Sequence, residues 1–119
     1  MNQEITSPEA FFGFQLGSDR QMARWDKIVD YFRLLDQQSE KIQVIDMGSS
    51  TEGHPFLLVI ISSRENLANL EHLREVNAQI KDPRGISEEV INSLVGEGKA
   101  IILQSMGLHA TEILSLIHI

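Results

Sequence analysis

The longest apolar run in the chain, PFLLVII at residues 55–61, constrains the fold more than any other feature. This run is far too short to cross a bilayer. It is flanked by turn residues, and its apolar residues are continuous rather than spaced at the helical period. A run of this kind is typical of a strand that is covered on both faces. Residues 41–48, KIQVIDMG, also read as a strand, and the turn-rich GSSTEGH stretch connects the two. We therefore predict two consecutive strands joined by a turn.

Helical periodicity predicts the element before these strands. Residues 1–18 form a lead-in segment whose phenylalanines should pack on the domain. Ser18, with Gln21 three residues later, fits a capping box that would begin a helix at residue 19. That helix carries an apolar stripe typical of a core face. The stripe consists of Met22, Trp25, Ile28, Val29, Phe32 and Leu35.

Two further helices and a third strand are predicted downstream. Ser62 and Ser63 can cap a helix that ends at the KDPRG stretch. Ser87 caps the next helix, which has glutamates in its first turn and ends at GEG, residues 96–98. KAIILQSMG at residues 99–107 is then an apolar strand. The order helix, strand, strand, helix, helix, strand predicts an α/β fold with a sheet between helices.

Composition narrows the functional classes. The net charge is −7, and no run of lysine and arginine is present, which argues against a nucleic-acid-binding surface. The chain has no cysteine, which excludes disulfide scaffolds and cysteine-based zinc sites. The first residues show neither the basic nor the apolar region of a secretory signal. A metal site must therefore use His, Asp or Glu.

One histidine and one glutamate are candidates for such a site. His109 and Glu112 directly follow the predicted third strand, at the end where open α/β sheets bind ligands. Imidazole nitrogen and carboxylate oxygen are both zinc donors, and the three-residue spacing lets both side chains turn toward one ion. The residues alone therefore predict half of a metal site, and two exposed polar residues are the alternative.

The other polar motifs predict no chemistry. GSSTEG has the glycine spacing of a phosphate loop, but His54 and Pro55 stand where that loop needs Lys and Ser or Thr. A plain connection between strands is therefore preferred. We expect His54 and His72 to be surface residues.

Two stretches together resemble the zinc carboxypeptidases of the carboxypeptidase A and B type. IDMGSSTEGHPFLLVIIS, residues 45–62, resembles a strand pair that the family joins by a G-x-S-x-E-G-x-P turn. AIILQSMGLHATE, residues 100–112, resembles its third strand, which runs into G-[IL]-H-x-x-E. The preceding helix with Trp25 and Tyr31 is similar to the family's N-terminal helix. The resemblance covers roughly residues 19–113.

The resemblance implies a function and a site. His109 and Glu112 would be two of the three protein ligands of a Zn²⁺ cofactor, with the C-terminus of a peptide or protein as substrate. The third ligand, the general-base glutamate and the substrate-binding arginine and tyrosine would lie downstream, so this chain alone should be inactive. The implied fold is the truncated N-terminal portion of a mixed open sheet flanked by helices. Thr111 stands where the family often has a substrate-binding arginine, which leaves the substrate preference open.

The last residues predict a boundary. LSLIHI, residues 114–119, looks like the translation of the mosaic-end adapter used in transposase-based sequencing libraries. We expect native sequence to end near Ile113, so that His118 is not a ligand, and a genuine short apolar strand is the alternative. The expected organisation is a lead-in segment (1–18), the N-terminal part of a zinc carboxypeptidase-like catalytic domain (19–113) and a non-native tail (114–119).

Two other functions are compatible with the same residues. A related zinc amidohydrolase, an acylase or deacylase, would share the H-x-x-E beginning but would lack a clamp for a C-terminal carboxylate. A non-catalytic α/β binding module would lack both the third histidine and the base glutamate. No nucleic acid and no membrane segment are expected in any of these cases. The oligomeric state and the compartment stay open, although the family resemblance allows a secreted or periplasmic protein.

Overall fold

In the computed structural model, which describes residues 4–106 and 113–119, the chain is mixed α/β, as predicted. The elements are α1 (Pro8–Phe12), α2 (Trp25–Gln38), β1 (Ile42–Ser49), β2 (Pro55–Ile61), α3 (Arg64–Ala68), α4 (Leu70–Lys81), α5 (Glu88–Glu97) and a 3₁₀ helix (Ile113–His118). The chain divides into two units, each described separately below. Unit 1 comprises Met1–Ser62 and Gln104–Ile119, and unit 2 comprises Ser63–Leu103.

Helix α2 supplies most of the buried apolar residues of unit 1. Its predicted stripe is buried at Ile28 and Leu35, because the helical period brings these residues onto one side. Tyr31 is only 2% exposed, and its ring lies 5.0 Å from that of Phe11 and 5.4 Å from that of Phe12, between ring centroids. The lead-in segment therefore packs its phenylalanines on the unit, as predicted.

The capping box predicted at Ser18 is wrong. The helix begins at Trp25, after Arg24, an extended N-cap residue with a φ of −74° and a ψ of 149°. A helix from residue 19 is excluded because Arg20 has a φ of 59°, a left-handed conformation that a right-handed helix cannot include. The Gln21 N–H instead donates to the backbone carbonyl of Ser18 at 3.2 Å, which closes a turn. Met22 consequently lies outside the helix and is exposed.

The two predicted strands form an antiparallel hairpin, in which Val44 pairs with Val59. Helix α2 is bonded to this hairpin at two points. The Trp25 indole N–H donates to the Pro55 carbonyl at 3.1 Å, and the Asp36 carboxylate accepts from the Val44 N–H at 3.1 Å. Because a two-stranded hairpin alone is marginally stable in water, these contacts contribute to keeping it folded.

The prediction that β2 is covered on both faces is wrong for the described residues. Phe56 is 62% exposed and Leu58 is 37% exposed, whereas Leu57 and Val59 are half-buried. Over residues 55–59 this alternation is what a strand shows when one face is covered more than the other. It breaks down at the end of β2, where Ile60 is half-buried and Ile61 is 72% exposed. Both faces of β2 therefore carry apolar side chains, but over residues 55–59 one face is more buried than the other.

Unit 2 contains three helices. The predicted caps are confirmed at Ser63 and Ser87, whose side-chain oxygens accept from the backbone N–H three residues later. The single helix predicted after Ser63 is divided at Asn69, which has a φ of −123° and a ψ of 25° and so leaves the helical region. Among the residues that the structure describes, no helix combines the length and the apolar character needed to span a membrane.

The strand predicted at residues 99–107 does not form in its described part. A strand is held by hydrogen bonds to a neighbouring strand, and the described residues form one sheet of two strands, β1 and β2. Lys99 is bonded by a side chain instead. The Asn77 amide donates to its carbonyl at 2.9 Å and accepts from its N–H at 3.3 Å. Beyond this anchor, Ile102 is 95% exposed.

The C-terminal residues belong to unit 1 and pack within it. Leu116 of the 3₁₀ helix is buried in a cluster with Ala23 and Ile28. Gly17 has a φ of 91°, and a Cβ there would lie 2.7 Å from a methyl group of Ile117, so this close approach requires glycine. The proposed artificial origin of residues 114–119 stays a prediction, and Leu116 and Ile119 contact the apolar core.

Tyr31 generates a prediction for stability. Its hydroxyl donates to the Thr6 carbonyl at 2.8 Å, and burial raises its pKa. Tyr31→Phe removes the hydrogen bond and should lower the free energy of unfolding at neutral pH by about 1 kcal/mol.

The same substitution should change the pH dependence. Because the folded-state pKa of Tyr31 is raised, its contribution is complete below the ordinary phenol pKa and is lost as pH rises through the folded value. Urea unfolding at about pH 7 and about pH 11 should therefore show a larger loss of stability for the parent than for Tyr31→Phe. Equal losses in the two proteins would contradict this.

Candidate metal centre

The predicted zinc ligands His109 and Glu112 lie outside the described residues, as does Thr111 between them. The first of the two family-like motifs, residues 48–55, lies wholly within the described residues. The structure therefore bears on the candidate centre through this turn and through the histidines and carboxylates of the described residues.

The turn at residues 48–55 is closed by its own groups. The Ser50 N–H donates to the His54 carbonyl at 2.8 Å, and the Ser50 hydroxyl accepts from the His54 N–H at 3.2 Å. Gly48 and Gly53 have φ values of 106° and 77°, which glycine adopts without a steric penalty. Pro55 begins β2, a position that tolerates a residue without an N–H. The motif residues thus have a local structural reason, which is the geometry of the turn.

The predicted connection between two strands is confirmed. The segment leads from β1 directly into β2, so no helix N-terminus follows it. Glu52 and His54 are exposed at this turn. Sequence reasoning identified the connection from its glycines and serines, and it did not identify the double role of Ser50.

Three of the four histidines are described, and all of them are exposed. His54 is in the turn, His118 is in the 3₁₀ helix, and His72 lies on α4, where its ring hydrogen-bonds the Glu97 carboxylate of α5. The sequence pattern does not predict the pairing of His72 with Glu97, because the two residues are far apart in the chain. Within residues 4–106 and 113–119, no three His, Asp or Glu side chains are placed to share a metal ion.

The carboxylates with shifted pKa values are paired with arginine. The pKa of Glu71 is lowered mainly by a hydrogen bond from Arg74 and then by its charge. The pKa of Asp82 is lowered mainly by a hydrogen bond from Arg84. All four side chains are well exposed, and surface ion pairs of this kind contribute little to stability. These shifts therefore reflect surface ion pairs and not a catalytic carboxylate.

The chain matches no known protein-family model, and no curated protein or solved structure is significantly similar to it. The resemblance to zinc carboxypeptidases therefore depends on the two motifs themselves. The first motif lies between two antiparallel strands. The second, which contains the candidate ligands, lies in residues that the structure does not describe.

Alanine substitutions at two glycines, one in the turn and one outside it, test whether the turn requires glycine for its backbone geometry. A Cβ at Gly48 or at Gly96 would meet nothing within 4 Å, so alanine at either position probes the backbone alone. Gly48 has a φ of 106°, and Gly48→Ala should destabilise the protein by about 1–2 kcal/mol. Gly96 lies inside α5, and Gly96→Ala should stabilise it by about 0.5–1 kcal/mol. Urea unfolding checks both, and an unaffected Gly48→Ala variant would refute the requirement for glycine.

Proposed function

We propose that the chain is the N-terminal part of a zinc-dependent metallocarboxypeptidase, with His109 and Glu112 as two of the three protein ligands of its Zn²⁺. One observation carries the proposal. The G-x-S-x-E-G-x-P turn and the G-L-H-x-x-E stretch occur in the same chain and in that order. The location of the first motif between two antiparallel strands supports it. In this proposal the hairpin is the beginning of a mixed open sheet flanked by helices.

The donor groups suit zinc in kind, and they supply two of the three ligands that a catalytic site needs. Catalytic zinc sites commonly use three protein ligands, with His nitrogen and Glu oxygen among them, and keep one position open. His109 must be neutral and Glu112 ionised to bind, so binding should weaken in acid, where protons compete with the metal for both groups. Bound zinc would lower the pKa of its water and polarise the scissile carbonyl. This chain would contribute ligands, and the group that accepts the proton would lie elsewhere.

Thr111 bears on the substrate. A C-terminal carboxylate needs a positively charged partner, and threonine supplies none. By the family resemblance, the selection of a C-terminal peptide bond would depend on an arginine downstream of these residues. In this proposal, residues other than Thr111 set the substrate preference.

The chain itself provides a binding test. With two ligands, the 119-residue protein should bind zinc weakly in a calorimetric titration at neutral pH. His109→Ala and Glu112→Ala should each weaken that binding by about tenfold or more, since even the loss of a second-shell partner costs about 10–100-fold. His54→Ala and His118→Ala are matched controls at exposed histidines and should leave it unchanged. Tight one-to-one binding by the parent, or equal effects of all four substitutions, would contradict the assignment.

The intact gene product provides the test of activity. It should retain zinc on purification and release C-terminal residues from peptides, and either ligand substitution should abolish both properties. The 119-residue chain alone should be inactive. A reading frame without a further histidine ligand and a base glutamate would refute the enzyme and favour a binding module. A zinc hydrolase that cleaves amides but not C-terminal peptide bonds would favour the amidohydrolase.

A further inference from the structure

An apolar groove in unit 1 holds the C-terminal residues of the chain, and we call it the docking groove. Leu116 is 8% exposed where it enters this groove, and Ile119 packs against the same cluster. The walls are aromatic and aliphatic side chains that belong to unit 1. They are Phe12, Phe14, Leu16, Ala23, Ile28 and Phe32.

The bound segment presents its apolar side chains at helical spacing. Leu116 and Ile119 are three residues apart, and the Ile119 N–H donates to the Leu116 carbonyl at 3.2 Å. In a 3₁₀ turn this spacing brings both side chains to one side, and His118 between them is exposed. An apolar groove that receives one face of a short helix is a common mode of peptide recognition.

The groove does not depend on the origin of the segment that it holds. Its walls all lie between residues 12 and 32, so they are present whether or not residues 114–119 are native. Residues 113–119 contain no Asp, Glu, Lys or Arg, and the walls are apolar. Recognition in this groove therefore depends on shape and on burial of apolar surface rather than on charge.

The C-terminal segment fills only part of the available space. A cavity of about 610 Å³ borders Ile117 and Ile119, and Leu16 and Gly17 are among the residues that line its other side. Ile117 is itself exposed. A longer helical segment, or one with larger side chains, would therefore also have room beside the groove.

The 3₁₀ helix is a weakly held element. Its six residues exceed the usual 3₁₀ length of about 3–4, beyond which the poorer hydrogen-bond geometry makes such helices uncommon. Ordering each residue costs backbone entropy, which the burial of Leu116 and Ile119 has to offset. Terminal segments with few buried contacts open more readily than a core helix. We therefore expect this segment to leave the groove while α2 stays folded.

We propose that the docking groove is a binding site for a short, uncharged helical segment with aliphatic side chains three positions apart. The C-terminal 3₁₀ helix occupies the site as an internal ligand. When that helix is released, the groove binds a segment of the same kind from another polypeptide. This inference does not depend on the proposed zinc site.

Amide hydrogen exchange of the parent chain tests the release. The protection factors of residues 116–119 should be at least about tenfold lower than those of Ile28 and Leu35, because local opening requires less free energy than unfolding of α2. Equal protection in the two segments would mean that the C-terminal helix unfolds only together with the core, which would contradict an internal ligand.

Peptide binding to the full chain tests the site. The probe is a fluorescently labelled peptide with the sequence of residues 113–119 behind a lysine tag for solubility. Leu116→Asp places a charge in the apolar groove and should expel the chain's own segment, so this variant should bind the peptide in a fluorescence anisotropy titration.

His118→Asp is the matched control, because it adds the same charge to the exposed side of the same helix. His118→Asp and the parent should bind the peptide at least about tenfold more weakly than Leu116→Asp. The reason is that their own tethered segment competes at an effective concentration of about millimolar.

A substitution in the groove shows where the peptide binds. Ala23 lies in the groove and outside any helix, so Ala23→Gln adds a side chain there without removing an existing one. Combined with Leu116→Asp, it should weaken peptide binding at least about tenfold by occupying the groove. Ala10→Gln in the same background changes an exposed residue of α1 and should not.

Three results would overturn the inference. A folded Leu116→Asp variant that binds no peptide would mean that the groove is not a docking site. Equal binding by the parent, Leu116→Asp and His118→Asp would mean that the peptide binds another surface. If circular dichroism shows that Leu116→Asp and the milder Leu116→Ala are both unfolded, the C-terminal helix is a required part of the core.

Discussion

Helix α2 is the element on which unit 1 depends, because a two-stranded hairpin has too little buried surface to be stable alone. Three of its side chains engage the hairpin at different points. Trp25 donates to the start of β2, Asp36 accepts from the middle of β1, and Arg33 pairs with a carboxylate on β1. The same helix buries Ile28 and Tyr31 with the N-terminal aromatic residues. Two of these three contacts go to β1, and the third, from Trp25, goes to the Pro55 carbonyl at the start of β2.

The two motifs that support the functional proposal contribute different things to it, namely backbone geometry and candidate metal-binding atoms. The turn at residues 48–55 is a matter of backbone geometry, since its glycines adopt positive φ and Ser50 closes it by hydrogen bonds. A motif of that kind indicates a local backbone structure rather than a chemical reaction. His109 and Glu112 are instead proposed to contribute donor atoms to a zinc ion, and that proposal depends on the chemistry of their side chains. The functional proposal therefore depends on the second motif, and the first supports its structural context.

Local signals predicted the elements whose cause is local. Ser63 and Ser87 begin helices because their side chains bond nearby N–H groups, and the glycines of the turn allow β1 to reverse into β2. The predictions that were wrong depend on something else. The helix expected from residue 19 is prevented by the left-handed backbone of Arg20, and the third strand at residues 99–106 has no neighbouring strand in the described sheet. The candidate ligands were predicted from the chemistry of their donor atoms and from the family resemblance. Neither of these gives a distance between the two side chains.

The sequence by itself determined where the chain caps, turns and forms amphipathic helices, and which donor types are available for a metal. These properties depend on residues within a few positions of one another. Only the tertiary structure decided which face of β2 is more exposed, that Asp36 accepts from the Val44 N–H of β1 and that Lys99 bonds Asn77 instead of a strand. Those outcomes depend on contacts between residues that are distant in the chain, and the periodicity of a local segment does not contain them.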